Sequence, residues 1–397
     1  MARTRESVLC LSHLRWNFVF QRPQHLLSRC AREHDVVFFE EPIFDANEPG
    51  LEVYTSGQGV RVAVPHLPPD TPAEIVEAAQ RGMIDRIVQH ELNGARPVLW
   101  YYTPMPIAFT DHVRPRAVVY DCMDELSLFK GAPAVLKERE KLLLEDADVV
   151  FTGGHSLYEH KRSQSQHHNI HPFPSSVDVP HFARAREEMP EPPDQAGIPK
   201  PRVGFFGVID ERMDIELVGE LAERRPDLHF VMIGPVVKID PADLPRRPNL
   251  HYLGGKSYDE LPAYLAGWDV AILPFARNDS TRFISPTKTP EYLAAGKPVV
   301  STSIRDVVQP YGHDGLAWIA DTAGEFSAAI DEALASDRRA RLAHVDAFLS
   351  SLSWDRTWAD MWNHVERAIQ TRASLRSSGL HATADASMAR TALEKEE

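Results

Sequence analysis

The chain lacks several features that define whole classes of protein. It has three cysteines among 397 residues and no C-x-x-C pair, so neither a disulfide framework nor a cysteine metal site is expected. No apolar run approaches the ~18 residues of a membrane-spanning helix. The N-terminal residues lead directly into an apolar strand without a signal-peptide core. We therefore expect a cytoplasmic protein that contacts the inner face of a membrane at most peripherally.

Positive charge is also scarce. Lysine and arginine number 43 against 57 acidic residues, which gives a formal net charge of −14. This balance argues against nucleic acid as a partner. No cluster has metal-ligand spacing, and Asp146-Ala-Asp148 precedes a strand rather than following one. We expect no bound metal. The sequence does not indicate the oligomeric state.

The chain instead contains two series of short apolar strands that alternate with helical segments. Such alternation is typical of parallel sheets covered on both faces, whose ligands bind at the carboxyl ends of the strands. A proline-rich, charged stretch separates the two series and is typical of a linker. We predict a first domain over 1–185, a linker over 186–201 and a second domain over 202–350.

A third region begins near residue 351. Trp354, Trp358 and Trp362 follow at i, i+4 and i+8, so one helix face carries three large aromatic rings that need an apolar surface to cover them. We predict a packing helix over 351–372. Residues 373–397 contain no aromatics and many small or charged residues, and are predicted to be a disordered tail.

The segment from Ser285 to Thr302 is the richest in chemical signals. Pro290 is tolerated only in a first helical turn, and Gly296 followed by proline ends a helix, so a loop, a short helix and a strand are predicted. Lys288 and Glu291 then lie three apart at a helix N-terminus, which favours anions. A lysine that holds phosphate beside a glutamate that accepts hydrogen bonds from a diol indicates a nucleotide site. The alternative, that Glu291 only complements the helix dipole and Lys288 is solvated, stays open on local chemistry.

The run Lys-x-x-Glu-Tyr-Leu-Ala-Ala-Gly-Lys-Pro-Val-Val, which begins at Lys288, resembles the donor-binding segment of retaining glycosyltransferases of the GT-B type, in the large family often called GT4. The resemblance implies an α/β fold with two Rossmann-like domains that face an interdomain cleft, and a C-terminal helix that crosses back to the first domain. It also implies an enzyme of polysaccharide or cell-envelope biosynthesis. That enzyme would move a sugar from a nucleoside-diphosphate donor to a hydroxyl of a glycan or lipid-linked acceptor, with retention and without metal or other cofactor.

The resemblance also assigns residues. In the second domain, Glu291 would bind the ribose and would count as catalytic, Lys288 and Arg212 would bind phosphate, and the strand end before Gly254 would contact the base. The complete donor-binding set is Gly207, Arg212, Tyr252, Leu253, Gly254, Arg282, Ser285, Thr287, Lys288 and Glu291. In the first domain, Asp121 and Asp124 are the other catalytic candidates. The acceptor or cleft set is Arg22, Gln24, His25 and His155.

Two positions depart from the family pattern. The segment after the first strand of the second domain keeps only Arg212 as a cation, and the position of an earlier family glutamate is Phe283. Arg212, Arg282 and Lys288 together would still neutralise a leaving diphosphate. Two alternatives therefore stay open: a degenerate protein that binds nucleotide-sugar or glycan without turnover, and a nucleotide-sugar epimerase of the same architecture.

Overall fold

The structure, a computed structural model, describes the chain from residue 5 to 393, with side chains up to residue 375. Its first sheet has eight strands in the order β3-β4-β2-β1-β5-β6-β7-β8. The strands are β1 (Ser7–Leu11), β2 (Asp35–Phe39), β3 (Gly50–Thr55), β4 (Arg61–His66), β5 (Val98–Tyr101), β6 (Ala117–Cys122), β7 (Val149–Thr152) and β8 (Ile170–Pro172). The helices that accompany them are α1 (Arg22–Glu33), α2 (Ala73–Arg86), α3 (Ile107–Thr110), α4 (Leu136–Asp146) and α5 (His155–Gln164).

The second sheet has six strands in the order β11-β10-β9-β12-β13-β14. They are β9 (Arg202–Phe206), β10 (His229–Ile233), β11 (Leu250–Tyr252), β12 (Val270–Leu273), β13 (Val299–Ser301) and β14 (Ala317–Ile319). The helices from the connection onward are α6 (Val179–Ala183), α7 (Pro193–Ala196), α8 (Ile215–Arg224), α9 (Leu261–Ala266), α10 (Lys288–Ala294), α11 (Arg305–Val307), α12 (Ala323–Ala335) and α13 (Arg338–Leu349).

The two parallel α/β units follow from continuously apolar strands. Central strands such as β5, β7 and β12 are buried at every residue, which requires helices on both faces of the sheet. Each pair of neighbouring strands is parallel except β3 and β4, which are antiparallel at the edge of the first sheet. The sequence prediction missed β3, because its half-buried residues lack the apolar run of the other strands.

The predicted packing helix is confirmed as α14 (Trp354–Leu393). Trp354, Trp358 and Trp362 are buried in the apolar cluster of the first domain, with Trp100 of β5 among their neighbours. The helix therefore crosses back from the second domain, as predicted. Its backbone continues into the segment predicted as a tail. Residues 394–397 of the predicted tail lie outside the described part, and disorder of 373–397 stays a prediction.

The predicted linker packs more tightly than its composition indicates. Val177 and Phe182, which precede it, already belong to the apolar core of the second domain. Within it, Gln195 is fully buried, and its amide accepts a hydrogen bond from the Trp268 indole at 2.9 Å. The segment is thus held against the second domain. Among the described residues, no helix is both long and apolar enough to cross a membrane.

Candidate functional site

A cleft of ≈ 530 Å³ lies between the carboxyl ends of the two sheets. Both domains contribute to it: the loop after β1 forms one wall, and the loops after β9, β10 and β11, together with α10, form the other. Its second-domain wall includes Gly207, Val208, Arg212, Gly234, Pro235, Gly255, Lys256, Ser257, Tyr258, Thr287, Lys288 and Glu291. This is the sheet edge at which ligands of open α/β folds bind.

The local structure of α10 agrees with the prediction. The helix begins at Lys288, Pro290 lies in its first turn, and Gly296 follows its last turn with a φ of +75°, which glycine adopts readily. The buried Tyr292 hydroxyl accepts a hydrogen bond from the Phe206 N–H at 2.9 Å, which attaches the helix to the end of β9. Lys288 and Glu291 are therefore held at fixed positions in the cleft.

Glu291 is a buried carboxylate in the wall of the cleft. It is 6% exposed and lines the cleft. Among the described residues, its carboxylate makes no hydrogen bond and no ion pair within 4 Å. Burial raises the pKa of Glu291 to about 7, although the charge of Lys288 opposes this shift. A buried carboxylate without protein partners costs free energy unless something else binds it.

Lys288 approaches the backbone at Gly207 closely. A Cβ at Gly207 would lie 2.5 Å from Lys288 Cε, and the φ of Gly207 is +148°. Gly234, with a φ of +147°, must also be a glycine, because a Cβ at this position would lie 1.7 Å from the Gly207 carbonyl oxygen. Among the residues that the structure describes, Lys288 makes one side-chain hydrogen bond, to Thr287 Oγ1 at 3.5 Å. Two glycines thus make room for a lysine whose ammonium group is largely unpaired, which contradicts the interpretation of a solvated surface lysine.

Arg212 also lines the cleft but is held by a partner of its own. Its guanidinium group donates to both carboxylate oxygens of Asp210, with distances of 3.0 Å and 2.7 Å. Phe129 of the first domain lies over the same group at 5.6 Å. The guanidinium group of Arg212 is therefore held in place by residues of both domains, and the carboxylate of Asp210 partly balances its charge.

Asp124, in the loop after β6, comes close to these cations from the first domain. Burial raises the pKa of Asp124 to about 6, whereas the charges of Arg212 and Lys288 act in the opposite direction. No hydrogen bond to its carboxylate occurs among the described residues. Asp124 does not itself line the cleft, so its catalytic role stays a prediction.

The other predicted catalytic aspartate is a structural residue. Asp121 is fully buried, and both of its oxygens accept hydrogen bonds from Arg22, whose Nη2 lies 2.8 Å from Oδ1. Neither residue lines the cleft. The structure contradicts the catalytic role predicted for Asp121. It also contradicts the cleft role predicted for Arg22, because the two residues pair with each other away from the cleft. Each neutralises the other in the interior of the first domain.

We expect Asp121→Asn to destabilise the protein by about 3 kcal/mol, because it leaves the Arg22 guanidinium buried without a counter-charge. Urea denaturation of the purified variant measures this change. Asp45→Asn, at a half-exposed ion pair with His66, is a control and should change the free energy of unfolding by less than about 1 kcal/mol. A fully stable Asp121→Asn protein would contradict the structural role.

The remaining first-domain predictions divide in two. Gln24 lines the cleft, and its amide donates to the Trp16 carbonyl oxygen at 2.8 Å. His25 does not line it: the imidazole stacks on Trp354 with ring centroids 4.6 Å apart, and burial lowers its pKa. His155 does not line the cleft either and lies in a separate crevice. Burial of the apolar helix α14 therefore determines the position of His25.

Several second-domain predictions also lie elsewhere. Ser285 shares the crevice of His155, and Arg282 lines a groove beside α4 and α5. Tyr252 donates to the Pro245 carbonyl oxygen at 3.3 Å, and neither it nor the two residues that follow line the cleft. The next four residues, 255–258, line it instead. The residues predicted to contact the base therefore lie outside the cleft.

Sequence reasoning missed the wall formed by the loop after β1. This loop carries Trp16, Phe18 and Phe20, and Phe20 packs on Tyr258 across the cleft with ring centroids 4.6 Å apart. The sequence signal for this wall was the presence of three aromatic residues in one polar loop. It was missed because these residues do not have the spacing of a helix or a strand. Within the part of the chain that the structure describes, no group of three or more His, Cys, Asp or Glu side chains can hold a metal ion.

Comparison with known sequences gives two matches. Residues 200–336 match the family model described as Glycosyl transferases group 1, a range that includes β9 to β14 and α10. The Putative teichuronic acid biosynthesis glycosyltransferase TuaH of Bacillus subtilis (strain 168) is 27% identical over 238 residues. That alignment covers 56% of this chain and 59% of the relative, which is less than two thirds of the relative's length.

Comparison with solved structures identifies the fold. The sucrose-phosphate synthase of Thermosynechococcus elongatus superimposes with a TM-score of 0.70 at 15% identity, over 92% of this chain and 100% of the other. Anabaena HepE in complex with UDP and glucose gives 0.63 at 14% identity, over 90% and 99%. The fold is GT-B, with two Rossmann-like domains, as predicted.

Proposed function

We propose that this GT-B protein is a glycosyltransferase that moves a sugar from a nucleoside-diphosphate donor to a hydroxyl of a glycan or lipid-linked acceptor. One observation carries the proposal. The unpartnered carboxylate of Glu291, the ammonium group of Lys288 and the guanidinium group of Arg212 meet in one cleft, at the strand ends of a segment that matches a glycosyltransferase model. A carboxylate suits a ribose diol, and two cations suit a diphosphate.

In the proposed reaction, the bond between the anomeric carbon and the diphosphate oxygen breaks while a bond to the acceptor oxygen forms. Lys288 and Arg212 would stabilise the charge that develops on the leaving diphosphate, the task that a metal ion performs in other transferases. We propose retention, as the family resemblance implies. The leaving phosphate oxygen would then take the proton of the acceptor hydroxyl, and Asp124 would bind a hydroxyl near the transferred sugar.

The proposed phosphate contacts lie in the second domain and Asp124 lies in the first, so the two can act on one sugar only when the domains are closed. Phe129 of the first domain already lies over Arg212 and, at 5.2 Å, over Lys238 of the second. Closure would therefore orient the phosphate-binding cations at the same time as it brings Asp124 to the sugar. The cytoplasmic location remains a prediction from the sequence.

Isothermal titration of the purified protein with UDP, ADP and GDP tests the donor assignment. We expect one of the three to bind with a dissociation constant below about 1 mM, since two charge-assisted phosphate contacts and a ribose contact are each worth about 1.5–3 kcal/mol. Binding to none of them would refute the proposal.

The two alternatives give different products. A binder without turnover would show nucleotide affinity, with no nucleoside diphosphate released from any nucleotide-sugar. An epimerase would convert the donor without an acceptor. A screen of nucleotide-sugars for released diphosphate, together with chromatography of the unreacted donor, separates the three functions.

A further inference from the structure

The first-domain wall of the cleft carries no ionisable side chain. It consists of aromatic rings, one valine and side-chain amides, and its members are Trp16, Asn17, Phe18, Val19, Phe20, Gln21, Gln24 and Gln58. The second-domain wall, in contrast, carries Arg212, Lys256, Lys288 and Glu291. Charge in the cleft is therefore confined to the wall on which the donor would lie.

Basic residues flank the uncharged wall, but none supplies a free positive charge to it. Arg15 pairs with Glu40 at 3.0 Å, and Arg22 pairs with Asp121 at 2.8 Å. Burial and the charge of Lys238 lower the pKa of His13 to about 4, so its imidazole is neutral at pH 7. Lys238 itself pairs with Glu211 at 3.7 Å. The absence of charge on this wall thus extends to the residues on both sides of it.

The cations of the opposite wall are already committed. Lys256 pairs with Asp194 at 2.6 Å, and Arg212 pairs with Asp210 at 2.7 Å. Arg212 and Lys288 are also the groups that the leaving diphosphate needs. A second anionic group that entered the cleft with the acceptor would lose its hydration without gaining a counter-charge, which is costly.

Two features of the uncharged wall suit a neutral sugar. Phe18 is 51% exposed, a large apolar ring that packs against little of the protein. Asn17 donates through its amide N–H to the Tyr54 hydroxyl at 2.7 Å, and its carbonyl oxygen accepts no hydrogen bond from the described residues. Gln58, at the turn between β3 and β4, is exposed at the same wall. An aromatic face together with amide groups matches the apolar face and the hydroxyls of a sugar ring.

We propose, on the basis of the proposed function, that the part of the acceptor that enters the cleft is an uncharged sugar, stacked on Phe18 and hydrogen-bonded by Asn17 and Gln58. Sugar phosphates and uronic acids are excluded from this position by the lack of a free cation. The donor site alone does not determine the class of acceptor, whereas the uncharged wall favours a neutral sugar.

A panel of acceptor probes tests the proposal with the full chain. The panel pairs methyl hexopyranosides with the corresponding hexose 6-phosphates and hexuronic acids; binding is measured with the nucleotide that binds, and transfer with nucleotide-sugars of the same nucleotide. We expect saturation-transfer NMR signals and sugar transfer for neutral members, and at least 10-fold weaker binding of their charged counterparts. Preference for a phosphorylated or uronic acceptor, or no contact with any neutral member, would overturn the proposal.

Variants locate the acceptor on the wall. Phe18→Ala should raise the KM for a neutral acceptor about 10-fold and leave nucleotide affinity within about 2-fold, because the ring contributes stacking only on the acceptor side. Phe18→Trp should retain most of the affinity. Phe44→Ala is the matched control, since Phe44 is 45% exposed and lies outside the cleft.

Two results for the variants distinguish the hypotheses. If Phe18→Ala weakens nucleotide binding as much as acceptor binding, the loop belongs to the donor site and the acceptor proposal fails while the function stands. If the wild-type protein binds no nucleotide at all, the proposed function fails as well. Equal effects of Phe18→Ala and Phe44→Ala would also overturn the role of this ring.

Discussion

Glu291→Ala is expected to weaken nucleotide binding by about 10³-fold, or about 4 kcal/mol. In the proposed complex its carboxylate accepts two hydrogen bonds from a ribose diol, and hydrogen bonds to charged groups contribute about 1.5–3 kcal/mol each. Among the described residues, no other group forms a hydrogen bond or ion pair with the Glu291 carboxylate, so none is positioned to replace its hydrogen bonds to the diol. Isothermal titration with the nucleotide that binds the wild-type protein measures the effect.

The same substitution should leave the protein at least as stable as the wild type at pH 8. The folded pKa of Glu291, about 7, exceeds its ordinary value of 4.5, so folding favours the protonated form. The resulting stabilisation is complete below about pH 4.5 and is lost as the pH rises toward 7. Removal of the carboxyl group therefore removes a cost at pH 8. A large loss of stability would instead support the interpretation of Glu291 as a helix cap.

Titration of Glu291 also predicts the pH dependence of binding. Because the ionised carboxylate is the better acceptor for a diol, affinity for a nucleotide-sugar should fall as the pH drops below about 7. Glu291→Gln should lose most of this dependence. Glu216→Ala is the matched control, because Glu216 is also in the first turn of a second-domain helix but is exposed outside the cleft. It should bind nucleotide normally.

Lys288→Ala is expected to lower the rate of sugar transfer by about 10³-fold. Removal of one preorganised group that stabilises developing charge typically costs about 2.7–4 kcal/mol in the transition state. The effect should appear mainly in kcat, since the diphosphate gains charge as it leaves. Released nucleoside diphosphate, measured at saturating donor, reports it.

Gly207→Ala should act in the same direction as Lys288→Ala. A Cβ at this position would lie 2.5 Å from Lys288 Cε, and a φ of +148° strains any residue with a side chain. Arg282→Ala serves as the control, because Arg282 carries the same charge close by in sequence but lies outside the cleft. If Lys288→Ala and Arg282→Ala lowered the transfer rate equally, Lys288 would have no special role in stabilising the leaving diphosphate.

The two-sheet architecture and the bounds of α10 follow from local patterns in the sequence. Continuous apolar strands between amphipathic helices require a parallel sheet with two covered faces, and this pattern occurs twice. Pro290 indicates the start of α10, because proline is tolerated only in the first turn of a helix. Gly296 indicates its end, because glycine readily adopts the positive φ that follows a last turn. Three tryptophans on one helix face likewise required a large apolar surface, which the first domain supplies.

Which polar residues face the cleft depends on contacts between segments that are distant in the chain. Arg22 and Asp121 lie 99 positions apart, and their mutual neutralisation depends on how α1 packs against β6. The same holds for Arg212, whose charge is balanced by Asp210, and for the uncharged wall around Phe18. Strand and helix patterns are local and periodic, so the sequence carries them directly. The direction of a loop side chain depends on contacts between distant segments, and it is fixed only when the two domains fold and meet.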